Sequence, residues 1–158
     1  MQGPSLDNIQ ELVIQDSPLL KCLSADHFSG LTSLQALSVI SSGLKFVSCD
    51  PLKDKNNALG QLENLTLAGN KLTELRSDDL SDLQRLRSLN LSHNEIRNIG
   101  PNYFAKFAKL QLLDLSNNKL TENIKPSVFK TLPRGIQYLD ISSKSKHESA
   151  VCLHFGIS

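Results

Sequence analysis

The chain has 158 residues, a length that fits one domain. Its 17 Lys and Arg against 16 Asp and Glu give a formal net charge of +1, so bulk charge predicts no binding to nucleic acid or to a membrane surface. Aromatic residues make up only 5% of the chain, and Trp is absent. No apolar run approaches the roughly 20 residues of a membrane helix, so no membrane span is predicted.

One sequence pattern recurs along the chain, and its copies begin at residues 9, 34, 62, 86, 110 and 136. The three central copies, LENLTLAGNKL, LRSLNLSHNEI and LQLLDLSNNKL, follow one another at a spacing of 24 residues. Residues 144–158 are expected to form an irregular C-terminal tail or cap. In that tail Val151, Leu153, Phe155 and Ile157 alternate with polar or small residues and are candidates for a final strand over the last core layer.

Positions 1, 4 and 6 of each copy are apolar, which predicts one short strand per copy and a parallel sheet when the copies stack. Position 9 is Asn70, Asn94 and Asn118 in the central copies, and this amide can bond buried backbone groups of its own copy and of the next one. Lys144 takes that position in the sixth copy, where we expect the regular array to end.

The second half of each copy predicts turns and short 3₁₀ segments rather than long helices. It carries a further apolar ladder at one position: Phe28, Leu80, Phe104 and Phe129. Three residues after each of these stands a second apolar residue: Leu31, Leu83, Phe107 and Leu132.

These residues resemble the 24-residue class of leucine-rich repeats, as found in the ectodomains of Toll and Toll-like receptors. The resemblance implies an α/β solenoid, part of a horseshoe, with one parallel β-sheet on the concave face and turns or short 3₁₀ segments on the convex face. It also implies a protein partner and no catalysis. The Cys-rich caps of such ectodomains are not seen in this sequence.

The strand positions that face away from the core are mostly small and polar, with one exception at Leu112 and Tyr138. This apolar pair beside two carboxylates has the composition of an interaction hot spot. The predicted partner-binding residues are Leu112, Tyr138, Asp114, Asp140, Asn90 and His93. The alternative is that these residues have no binding role: Leu112 is then an isolated exposed Leu of the common kind, and His93 is solvated or caps backbone groups.

Two sequons, Asn64-Leu-Thr and Asn90-Leu-Ser, predict glycosylation if the chain is secreted. The alternative is that the repeat pattern produces the same three-residue sequences by coincidence. Cys22 and Cys49 fall in successive copies and are a possible disulfide, but their different offsets slightly favour two free thiols. The tail residues His147, Glu148, Cys152 and His154 match no zinc-binding spacing, so no metal site and no cofactor are predicted.

The sequence therefore predicts a non-enzymatic protein-interaction module, because no set of nucleophile, base and oxyanion donor is recognisable. The first hypothesis is an extracellular immune or developmental receptor ectodomain, or a soluble decoy of one. The alternative is an intracellular scaffold or adaptor, since the first ten residues lack the features of a signal peptide. Five basic residues near the fourth copy are expected to be solvated rather than to bind nucleic acid: Arg85, Arg87, Arg97, Lys106 and Lys109.

Overall fold

The computed structural model describes residues 6–49, 59–80, 82–120 and 127–143. Their strands are β1 (Glu11–Gln15), β2 (Ala36–Ile40), β3 (Asn64–Thr66), β4 (Glu74–Leu75), β5 (Ser88–Asn90), β6 (Asn98–Ile99), β7 (Leu112–Asp114) and β8 (Tyr138–Asp140). Helices in this part of the chain are single turns: 3₁₀ helices at Ala25–Phe28 and Tyr103–Lys106, and α1 at Ser127–Lys130. The tail from Lys144 onward, with its predicted final strand, lies outside the described residues.

Six strands form one parallel sheet in the order β1-β2-β3-β5-β7-β8. Equivalent positions of successive copies are in register, so that Leu65 pairs with Leu89 and Leu89 pairs with Leu113. The predicted solenoid with a parallel sheet is therefore confirmed. Stacked strands lie about 4.8 Å apart, so the same position in two neighbouring copies is always in contact.

The core lies between this sheet and the turns of the return segments. The first residues of the central copies, Leu62, Leu86 and Leu110, are fully buried, and so are Phe104 and Phe107 of the convex ladder. Each fully buried side chain of this size contributes about 1.5–3 kcal/mol to the free energy of unfolding. The end copies are less buried: Leu12 and Leu139 pack against the core but are only partly buried, whereas Leu65 and Leu89 at the equivalent position are fully buried.

The position-9 asparagines form a buried ladder along the solenoid, but they serve the preceding copy rather than the next one. Nδ2 of Asn94 donates to the carbonyls of Leu91 and Ser92 in its own copy and of Leu67 in the copy before. Its Oδ1 accepts from the backbone N–H of Leu72, also in the copy before. Asn70 and Asn118 repeat this arrangement.

A second sheet that the sequence did not predict pairs β4 with β6 in parallel, with Glu74 opposite Asn98 and Leu75 opposite Ile99. Strands of two residues are too short to show an alternating pattern. This small sheet ties the return segments of the third and fourth copies together.

Candidate functional site

The sheet face that points away from the core, expected to be concave from the resemblance, carries one pair of adjacent, exposed, large apolar side chains among the described residues. Leu112 of β7 is 43% exposed and Tyr138 of β8 is 47% exposed, and the two are direct register partners. Asp114 and Asp140 are register partners two residues further along the same strands. We call these four residues the concave patch. The structure thus brings together four of the six residues predicted to bind a partner.

Local hydrogen bonds position both carboxylates of the concave patch. Oδ1 of Asp114 accepts from the backbone N–H of Ser116 at 2.9 Å, and Oδ1 of Asp140 accepts from that of Ser142 at 2.8 Å. The donors on Ser142 hold the pKa of Asp140 below its usual value, and the Tyr138 hydroxyl acts in the same direction. The Tyr138 hydroxyl donates a hydrogen bond to the Asp140 carboxylate, and this bond raises the pKa of Tyr138 because it favours the neutral phenol. The negative charges of the nearby aspartates reinforce this shift.

Asn90 and His93 lie beside the patch, in the copy before it. Asn90 is the register partner of Asp114, and its Oδ1 accepts from the N–H of Ser92 at 2.9 Å, the same bond that both aspartates make. His93 is exposed, and its Nε2 lies 3.3 Å from Nδ2 of Asn117. Both side chains therefore have structural partners and remain candidates for contact with a ligand at the edge of the patch.

Position 8 of the repeat adopts a left-handed backbone conformation in five successive copies. His93 occupies this position in the fourth copy, so its residue type has a conformational reason. The φ angles are 53° at Asp16, 48° at Ser41, 68° at Gly69, 54° at His93 and 53° at Asn117. Asn, Asp and His tolerate this region better than most residues, and Gly adopts it freely. Sequence reasoning noted His93 as a possible functional residue and missed this conformational requirement.

The two predicted glycosylation sites differ in their surroundings. Asn64 is exposed and is flanked in register by Ala36 and Ser88, both with small side chains. Asn90 is half-buried, and its carboxamide oxygen is already bonded to Ser92. The structure therefore leaves more room for a glycan at Asn64 than at Asn90.

Cys22 and Cys49 are joined by a disulfide, with their Cα atoms 5.1 Å apart. A backbone bridge beside them places Leu23 opposite Ser48, and Cys49 N–H donates to the Leu23 carbonyl at 2.9 Å. Their different offsets from position 9 had slightly favoured free thiols. The offsets do not keep the two residues apart, because this bridge brings them side by side.

A polar cluster on the convex side was missed by sequence reasoning. Lys106, expected to be solvated, places its Nζ 4.3 Å from the ring centre of Tyr103 and donates to the carbonyls of Ser77 and Asp79. Burial lowers the pKa of Lys106 to about 8 against the opposing effect of nearby carboxylates. The Asp79 carboxylate is itself buried and accepts from Ser48 Oγ at 2.7 Å. Lys106 therefore fastens one copy to the copy before it.

The described parts of the chain contain no group of three or more side chains suited to hold a metal ion. The tail residues considered for zinc, His147, Glu148, Cys152 and His154, lie outside the described residues. Among the residues that the structure describes, no helix is long and apolar enough to cross a membrane.

Comparison with known sequence families gives two overlapping matches, both described as leucine rich repeat, over residues 60–120 and 109–132. Residues 60–132 are leucine-rich repeats, and the fold of the described residues is that of a leucine-rich-repeat solenoid. The matches cover the copies in which the 24-residue spacing and the position-9 asparagine are most regular. A comparison with curated proteins gives no match.

Solved leucine-rich-repeat structures share this fold. A chain of the Drosophila Toll–Spatzle complex is 23% identical with a TM-score of 0.65, and the match covers 77% of this chain and 17% of that one. A leucine-rich-repeat protein of Leptospira interrogans is 26% identical with a TM-score of 0.66, over 87% of this chain and 32% of that one. The ectodomain of the Arabidopsis thaliana receptor kinase SOBIR1 is 26% identical with a TM-score of 0.56, over 83% of this chain and 67% of that one. The chain therefore spans about a sixth and about a third of the first two structures.

Proposed function

We propose that this solenoid is a non-enzymatic interaction module and that its protein partner docks on the concave face at the concave patch. The observation that carries the proposal is the direct register of Leu112 and Tyr138, both nearly half exposed, on a face that is otherwise mostly small and polar. Aromatic residues that are rigidly held in a partly apolar surface are enriched among the residues that dominate binding energy.

The surroundings of the patch agree with a binding role better than with catalysis. The Tyr138 hydroxyl is bonded to Asp140, and one oxygen of Asp114 and of Asp140 is bonded to a backbone N–H. His93 contacts the amide of Asn117 rather than a Ser, Thr or Cys that it could activate. Groups held in this way present a fixed shape to a partner, which lowers the entropic cost of binding.

Site-specific cross-linking tests the docking face. A benzophenone amino acid at position 138 should cross-link to a partner protein, whereas the same group in place of Leu19, which is 89% exposed outside the sheet, should not. Unlabelled protein should compete with the cross-link, and competitor carrying Leu112→Ala and Tyr138→Ala should not. Cross-linking from position 19 but not from position 138 would move the site away from the concave face.

We further propose that the chain works outside the cell, as part of a receptor ectodomain or as a soluble decoy of one, in immune or developmental signalling. The Cys22–Cys49 disulfide supports an oxidising compartment, and the exposed sequon at Asn64 suits a secreted chain. Two of the structural neighbours come from a Toll complex and from a receptor-kinase ectodomain. The alternative is an intracellular scaffold or adaptor, because leucine-rich repeats occur there as well.

Expression behind a signal peptide in a secretory host separates these two locations. A secreted product with a glycosidase-sensitive mass that is lost in Asn64→Gln and kept in Asn90→Gln supports the extracellular proposal. Retention inside the cell with Cys22 and Cys49 both as free thiols and with no glycan supports the intracellular scaffold.

A further inference from the structure

The concave face is acidic, although the chain as a whole carries a net charge of +1. We take this face as the side chains at positions 2, 3, 5, 7 and 8 of the six copies, all of which lie in the described residues. Its carboxylates are Glu11, Asp16, Glu63, Asp114 and Asp140. Its one Lys or Arg is Arg87, which pairs with Glu63 at 3.3 Å. Four carboxylates on this face therefore have no cation beside them at these positions.

Two of those four carboxylates occupy neighbouring positions on adjacent strands. Asp114 and Asp140 are register partners on neighbouring strands, and like charges placed directly opposite each other in a sheet are destabilising. The bonds that they accept come from the neutral groups of Ser116, Ser142 and Tyr138, which do not cancel the charge. A cation brought by a partner would relieve this repulsion.

The apolar and the acidic halves of the patch are separated by a fixed distance. Leu112 and Asp114 alternate on one strand, as do Tyr138 and Asp140 on the next, so the two halves lie about 6.6 Å apart at about 3.3 Å per residue. Residues i and i+2 of an extended partner segment lie on one side at the same separation.

Building on the function proposed above, we propose that the concave patch recognises an extended protein segment in which a Lys or Arg stands two residues from an aliphatic or aromatic residue. The basic side chain lies between Asp114 and Asp140, and the apolar side chain packs on Leu112 and Tyr138. Val13, also 50% exposed on this face, has Ser38 as its register partner rather than a second large apolar side chain. The fifth and sixth copies therefore set the position of the segment.

The chain offers a conservative way to remove the charge. Asn90 occupies the position equivalent to Asp114 and Asp140 and accepts the same backbone bond through its Oδ1. Asp114→Asn with Asp140→Asn should therefore keep the strand ends intact while removing both negative charges. Asp16→Asn is the matched control, because Asp16 is an exposed carboxylate on the same face in the first copy and Asn tolerates its left-handed φ.

The test is selection of a phage-displayed random dodecapeptide library on the wild-type protein, followed by affinity measurement on the variants. Enriched peptides should carry Lys or Arg two residues from Leu, Phe or Tyr. They should bind the Asp114→Asn, Asp140→Asn protein at least about tenfold more weakly and the Asp16→Asn protein as tightly as the wild type. Their affinity for the wild type should fall as salt rises from about 50 to about 300 mM.

The outcomes separate this inference from the function on which it rests. Peptides that lose binding to a Leu112→Ala, Tyr138→Ala protein but bind the double Asn variant unchanged overturn the basic-residue preference and leave the docking face standing. Peptides that bind both double variants as well as the wild type overturn the docking face itself. A library that yields no peptide dependent on the two carboxylates overturns the inference, and melting temperatures of the variants verify that each is folded.

Discussion

The hydroxyl of Tyr138 donates to Oδ2 of Asp140 across 3.2 Å, so the two side chains lie together on one face of β8. Each therefore shifts the ionisation of the other, and the bond holds the exposed aromatic ring along the strand. Tyr138→Phe should raise the pKa of Asp140 towards its usual value, while the donors on Ser142 keep it below that value. A carboxyl-detected NMR titration of both proteins measures this. An unchanged Asp140 pKa would mean that the bond is not formed in solution.

The exposed ring of Tyr138 should dominate binding of the partner. Tyr138→Ala should weaken binding by more than about 1 kcal/mol, because the ring packs on the partner together with Leu112. Val13→Ala removes a similarly exposed apolar side chain from the first copy and should change affinity little. Isothermal titration with the partner, or with a selected peptide, measures both. Equal affinities for wild type and Tyr138→Ala contradict the proposed site.

The asparagine ladder should be essential for stability in the middle of the array. Asn94→Ala leaves the buried N–H of Leu72 in the copy before without its partner, and the carbonyl of Leu67 keeps only the bond from Asn70. The unpaired buried N–H and the lost bonds of the Asn94 amide should lower the free energy of unfolding by at least about 2 kcal/mol. Asn98→Ala, an exposed Asn in the same copy, should change it by less than about 0.5 kcal/mol. Urea unfolding followed by circular dichroism compares the two, and similar midpoints would refute the role of the ladder.

The disulfide between Cys22 and Cys49 should stabilise the first two copies. It closes a loop with a sequence separation of 27 residues, for which the loss of chain entropy in the unfolded state corresponds to about 3–4 kcal/mol. Cys22→Ser with Cys49→Ser should lower the free energy of unfolding by about this amount, measured in a Cys152→Ser background to prevent thiol exchange. Reduced protein should match the double variant. A variant as stable as the oxidised protein would contradict this prediction.

Lys106 should make stability depend on pH. Its pKa is lowered by burial to about 8 from the ordinary 10.5, so between these values the unfolded chain binds more protons than the folded one. The cost of burying its charge is present in full below about pH 8 and disappears as the pH rises to 10.5. The free energy of unfolding of the wild type should therefore rise relative to that of Lys106→Met across this window.

Urea unfolding at several pH values between 7 and 10 measures the difference between wild type and Lys106→Met. Lys109→Met is the matched control, because Lys109 is exposed in the same segment and its removal should leave the pH profile parallel to that of the wild type. Parallel profiles for Lys106→Met as well would show that the amine is solvated.

The 24-residue spacing was sufficient to predict the solenoid, its parallel sheet and the inward leucines, because each copy repeats the same alternation and packs on its neighbour. The register of Leu112 with Tyr138 followed from aligning position 3 of the fifth and sixth copies, which start at residues 110 and 136. The burial of Lys106 did not, since it depends on Ser77 and Asp79 in the copy before, which no local pattern marks. The pairing of Cys22 with Cys49 likewise depends on a bridge between loops of unequal length.

The backward reach of the position-9 asparagines has a consequence for how such a chain grows. The amide of Asn118 completes the backbone bonding of the copy that contains Leu91 and Ile96, just as Asn94 completes the copy that contains Leu67 and Leu72. A tandem duplication of any 24 codons within this stretch therefore brings with it the one side chain that its upstream neighbour needs. Insertion of a further copy at this point therefore leaves no buried backbone N–H without a hydrogen-bond partner on either side of the insertion.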